Sequence, residues 1–131
     1  MLQIDAHLDW RHEVHGVTHG FSSTMRRASD MPQVIGMVQV GVRGPGSARN
    51  DELADAKAWG SIIFPANEVE THGIEQVVAA IPERSNDVLS IDVDGLDPAL
   101  LPGILLPAPG CIGYQLMLTL IRGLAALAQL V

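Results

Sequence analysis

Residues 87–98 read DVLSIDVDGLDP. An apolar, β-branched run passes directly into acids at Asp92 and Asp94 and then into a Gly-Leu-Asp-Pro turn, which predicts a strand with charge at its carboxyl end. It is the strongest strand signal in the chain. Working outward, the same pattern opens the sequence, where LQID predicts a short strand ending in Asp5, followed by AHLD. SSTMRRASDM predicts a helix with Ser22 or Ser23 as its N-cap. QVIGMVQVGV is β-rich and bounded by the breaker cluster RGPGS, DELADAKAWG predicts a helix closed by Gly60, and SIIF predicts a buried strand. NEVETHGIEQVVAAI supplies a helical turn and a helix stopped by Pro82. A loop carrying Pro98, Pro102, Pro107 and Pro109 leads to a largely apolar closing helix, GYQLMLTLIRGLAALAQL.

Strand and helix in regular alternation are the signature of an α/β fold with a parallel sheet covered on both faces. Ligands of such sheets gather at the carboxyl ends of strands. The two acidic motifs are therefore expected to converge.

Composition narrows the partners. The chain has 131 residues, 47% hydrophobic and 18% charged, as expected of one globular domain or a piece of one. A formal net charge of −7 disfavours nucleic acid and anionic membrane and favours cationic small molecules or divalent metals. The single Cys111 allows no internal disulfide, and no apolar run reaches the roughly 18 residues of a membrane span. A cytoplasmic location is the expectation.

In extended backbone, residues i, i+2 and i+4 point to one side, so Asp5, His7 and Asp9 would present two carboxylates and an imidazole to one point. Asp92 and Asp94 would do the same from the other strand end, with Val93 facing away. Like charges so close are costly unless a cation compensates them, and a dication does so. Solvated loop acids are the alternative for either motif. Asp97 is expected only to form an Asx-turn. Four carboxylates and one imidazole suit manganese or magnesium better than zinc. Five ligands are many for one ion, and two ions roughly 3.5–4 Å apart would use them economically.

DAHLD and SIDVDGLDPALLPG together, in this order, resemble the two central signatures of the ureohydrolase family, which includes arginases and agmatinases. DWRHEVHGVTHGFSSTMRRAS most resembles the agmatinase-like branch, and the likeness covers nearly all of residues 1–131. It implies a three-layer α/β/α fold and a dinuclear Mn2+ centre that hydrolyses a cationic guanidino compound to urea and an amine through metal-bound hydroxide. By the same resemblance Asp5 and Asp92 bridge both ions, Asp9 binds one, and His7 and Asp94 bind the other. Asp9 also orients the hydroxide, His19 serves as acid/base, and a homo-oligomer is expected.

His12, Glu13 and His15 lack the H-E-x-x-H zinc pattern and are expected to be polar loop residues at a substrate entrance. His72 is expected to be structural and Trp10 to pack. Relatives of this kind carry a further ligand His upstream and a guanidinium-binding Glu downstream, so the chain reads as a partial ureohydrolase domain, truncated at both ends. Its Cys111 stands where glycine is usual. Two functional readings follow: a working hydrolase of agmatine-like compounds, or a noncatalytic chain that binds metal weakly or associates with a longer relative. A deacetylase of the same general fold would use more histidine, and DVDGLDP disfavours it.

Overall fold

The computed structural model describes residues 1–82, 86–110, 112–127 and 129–130; Cys111 lies outside them. Among the described residues six strands and five α-helices follow one another: β1 (Leu2–Ile4), α1 (Thr24–Ala28), β2 (Val38–Val40), α2 (Asn50–Trp59), β3 (Ile62–Phe64), α3 (Ala66–His72), α4 (Glu75–Ala79), β4 (Asn86–Asp87), β5 (Leu89–Ile91), α5 (Tyr114–Leu127) and β6 (Gln129–Leu130). Four strands form a wholly parallel sheet in the order β3-β2-β1-β5, and β4 pairs with β6 in a small second ladder.

Burial follows position in the sheet. Central β1 and β2 are buried throughout, as parallel strands covered on both faces must be. On one face Leu2, Ile4, Val38 and Val40 pack against Val69, Ile74 and Val77 of the α3–α4 segment and Leu120 and Leu124 of α5. On the other, Met25 and Ala28 of α1 and Ala56 of α2 enclose Leu8, Trp10 and Met37. The result is the parallel sheet covered on both faces that the alternation predicts, in the three-layer α/β/α form that the resemblance implies. Among the described residues no helix is long and apolar enough to cross a membrane.

Several local expectations are corrected. SIIF is an edge strand, not a buried one, because nothing pairs with its outer side among the described residues; Ile62 is 45% exposed. DVLSIDVD is not one strand: β4 and β5 are separated by Val88, and residues Val93–Gly95 form a 3-10 turn. Neither Ser22 nor Ser23 caps α1 with its side chain. Ser23 stands at the N-cap without a side-chain cap bond, and its buried hydroxyl has no partner. The Asp9 carbonyl instead accepts from the backbone N–H groups of Met25 and Arg26, both at 3.1 Å, satisfying donors that a helix start leaves free. Gly60 does close α2, with φ of 105°, a conformation that side chains disfavour.

Candidate metal centre

The chain runs from β1 to β2 on one side and returns with β5 on the other. The sheet's order thus reverses between β1 and β5, and their carboxyl ends flank the crevice where such sheets bind ligands. Register brings the two motifs together: Ile4 pairs with Ile91, so Asp5 and Asp92 leave neighbouring strands side by side. The Asp92 N–H donates to the Ile4 carbonyl at 2.9 Å, and the Asp5 N–H to Val40 at 3.0 Å.

The expected extended alternation is not what aims the side chains. Beyond Ile4 the backbone bends, and Asp9 adopts φ of 52°, a left-handed conformation rare outside glycine and tolerated best by Asp and Asn. Asp92 and Asp94 are set by the 3-10 turn, in which Asp92 Oδ1 accepts from the Asp94 N–H at 3.1 Å. Val93 is exposed, pointing away as expected.

Even so, Asp5, His7, Asp9, Asp92 and Asp94 all line one cleft of about 270 Å³, with Trp10, Arg11, Phe21, Ser22, Ser47 and Glu52 among its other walls. Asp5, His7 and Asp94 each place a ligand atom within 4.8 Å of the others. His7 Nδ1 is 3.1 Å from Asp94 Oδ2 and 3.5 Å from Asp5 Oδ1. The Ala6 N–H donates to Asp94 Oδ1 at 3.2 Å, lacing the two loops together.

Charge in the cleft is poorly compensated. Burial, reinforced by Asp9 and partly offset by a hydrogen bond from the His7 N–H, pushes Asp5 up to about 8. Burial and the charges of Asp92 and Asp94 push Asp9 up to about 7, opposed by Arg11. Arg11 itself is paired with Glu52 at 3.4 Å. A cluster of hard oxygen donors with one imidazole, too crowded to hold its own negative charge, has the chemistry of a dication site.

Other expected residues fall elsewhere. His19 is exposed, its Nδ1 2.9 Å from Thr18 Oγ1, and does not line the cleft. His12, Glu13 and His15 are exposed and line it no more than His19 does; Arg11, Phe21 and Ser22 occupy the walls where an entrance role was expected of them. His72 sits at the end of α3 with Nδ1 3.1 Å from the Glu68 carbonyl. Asp97 makes the expected Asx-turn, accepting from the Ala99 N–H at 2.8 Å. Trp10 is 3% exposed and packs on Trp59 with ring centroids 5.9 Å apart, while its surface also contributes to the cleft wall.

Two features carry no motif signal. Arg43 clasps the second loop, donating to the carbonyls of Asp94 at 2.6 Å, Gly41 at 2.9 Å and Ala108 at 3.0 Å. Gln3 donates to Asp5 Oδ2 at 2.6 Å from inside the sheet. A lone Gln amid the aliphatic residues of LQI, repeated in VQV at residues 38–40, was the available sequence signal for the second.

Known proteins share this arrangement of chain. An N(1)-aminopropylagmatine ureohydrolase of Thermus thermophilus is 30% identical over 124 residues, covering 93% of this chain and 40% of that protein. The structure of the proclavaminate amidino hydrolase from Streptomyces clavuligerus superposes with a TM-score of 0.84 at 27% identity, covering 97% of this chain and 44% of the other. The fold is also that of the agmatine ureohydrolase of Thermoplasma volcanium, with a TM-score of 0.79 at 24% identity over 97% of this chain and 43% of that one. The chain thus spans about 40% of the length of the curated relatives it matches. The arginase family profile matches residues 1–131 from end to end, and the chain belongs to the arginase family.

Proposed function

We propose that residues 1–131 belong to one ureohydrolase domain that holds a dinuclear manganese centre and hydrolyses a cationic, agmatine-like guanidino compound to urea and an amine in the cytoplasm. The observation that carries this reading is the convergence of four carboxylates and one imidazole on a single cleft at the sheet's switch point. Asp5, His7, Asp9, Asp92 and Asp94 would hold the ions between them, and the 3.1 Å approach of His7 to Asp94 supports those two acting together. When bound, the metals neutralise the carboxylates and lower the pKa of coordinated water toward neutrality.

The chain's own residues do the rest. An acidic cleft in a protein of net charge −7 attracts and holds a guanidinium cation. The Asp9 carboxylate accepts a hydrogen bond from the attacking water and fixes its direction. The His19 imidazole, exposed two residues before Phe21 of the cleft wall, gives a proton to the departing amine nitrogen through a bridging water. His19→Gln is therefore expected to lower kcat about 100-fold or more while manganese uptake is unchanged. Urea release and elemental analysis on the same preparation check it; equal kcat for the two proteins rejects the role.

The test of the centre itself is manganese stoichiometry after dialysis, with Asp92→Asn as the control. Close to two ions per chain is the expected result, falling to one or none in the variant, with urea released from agmatine or a related guanidino amine. A chain that retains no manganese and releases no urea would instead be the noncatalytic member that acts by association, for instance in an oligomer.

A further inference from the structure

Gln3 and Gln39 stand at the centres of β1 and β2, opposite one another in the parallel ladder, and are 2% and 0% exposed. A primary amide in such a place is costly unless its polar atoms find partners. These amides find theirs along one line that crosses three strands. Ser61 Oγ, just before β3, donates to Gln39 Oε1 at 2.8 Å. Gln39 Nε2 donates to Gln3 Oε1 at 2.6 Å and to the Leu8 carbonyl at 2.8 Å. Gln3 Nε2 then donates to Asp5 Oδ2 at 2.6 Å.

The polarity of this line is fixed at its middle. The Leu8 carbonyl only accepts, so Gln39 must turn its NH2 toward it and leave its oxygen for the Ser61 hydroxyl. The same NH2 faces Gln3, which must answer with oxygen, and that leaves the Gln3 NH2 for Asp5. Flipping either amide would set oxygen against oxygen or NH2 against NH2 where no water can compensate. Asp5 is thereby held by one donor on each oxygen, Gln3 on Oδ2 and the His7 N–H on Oδ1 at 2.7 Å. A carboxylate has about four acceptor directions, so each oxygen keeps one free for an ion.

We propose that Gln3, oriented by Gln39 and Ser61, is a positioning residue that fixes the Asp5 carboxylate for metal binding; the proposal rests on the dinuclear reading of the cleft. Outer partners that orient metal ligands typically change affinity by about 10–100-fold when removed. Manganese titrations of the 131-residue chain, with free ion counted from the EPR signal of aqueous Mn2+, test it on Gln3→Met, which keeps length without the amide, and on Ser61→Ala, which touches neither Asp5 nor any other proposed ligand. Binding about 10–100-fold weaker in Gln3→Met is expected, with a smaller loss in the same direction in Ser61→Ala, both at a temperature where circular dichroism shows an intact fold. Folded variants that lose thermal stability but bind manganese like the parent would overturn the positioning role. Should Gln3→Met not fold, Gln39→Met, which removes the group that turns the Gln3 amide, takes its place, and unchanged manganese affinity there overturns the role equally. A parent chain that takes up no manganese overturns the metal centre and the positioning role together, whereas uptake by the parent with unaltered variants overturns the positioning role only.

Discussion

Replacing Gly95 with alanine is expected to disassemble the metal cleft while leaving the sheet and helices in place. A Cβ at this position would lie 2.9 Å from the Asp5 nitrogen and 3.0 Å from both Asp5 Cα and the Ile4 carbonyl carbon. All three are backbone atoms at the end of β1 or one residue beyond it, so the 3-10 turn must move instead. That turn carries Asp92 and Asp94, and its displacement stretches the contacts of Asp94 with His7 at 3.1 Å and with the Ala6 N–H at 3.2 Å. It also pulls the Asp94 carbonyl from Arg43. Overpacking of this kind costs about 1–3 kcal/mol, and the misplaced ligands should lower manganese affinity by about 10–100-fold or more. Gly103→Ala is the matched control, because an added Cβ there meets nothing within 4 Å. Manganese titration beside chemical denaturation checks both effects. If Gly95→Ala bound manganese as tightly as Gly103→Ala, close backbone approach would not be what assembles the site.

The metal-free chain should lose stability as pH rises, and manganese should reverse the trend. Asp5 and Asp9 are pushed up to about 8 and about 7 from an ordinary 3.8, chiefly by burial and by neighbouring carboxylates. Folded chains therefore hold protons that unfolded chains have released across the window from about pH 4 to about pH 8. Where the native state binds more protons than the unfolded state, unfolding free energy falls with pH, by up to about 1.4 kcal/mol per pH unit for each proton retained. Bound metal replaces those protons, and its affinity rises with pH because the ligands must be deprotonated. Urea denaturation at pH 5 and pH 8, in EDTA and in saturating Mn2+, should give slopes of opposite sign. Equal stability at both pH values in EDTA would mean that the clustered carboxylates are compensated by something other than a cation.

Strand order decides which apolar runs are buried. SIIF looks like a core strand by composition, yet Ile62 is 45% exposed because strand order, which composition does not encode, puts β3 at an edge. Residue type points to Ser22 or Ser23 for the α1 cap, whereas the Asp9 carbonyl, a backbone group with no signature in the sequence, satisfies the donors. Gln3 and Gln39 were visible as paired polar interruptions in aliphatic strands, but their partnership depends on a register that only the folded ladder supplies.

By itself, the sequence determined the α/β class, the parallel sheet and the two acidic motifs, because hydrophobic periodicity and the placing of charge at strand ends are local properties. Tertiary structure decided that the motifs meet, since β1 and β5 become neighbours only when the strand order reverses between them. It also decided how they meet. Asp9 reaches the cleft through a left-handed φ of 52° and Asp94 through a 3-10 turn, not through the period of two that an extended strand would impose. Gly95 fits against Asp5 for the same reason: the distance between two loops far apart in sequence is set by packing, and no run of residues states it in advance.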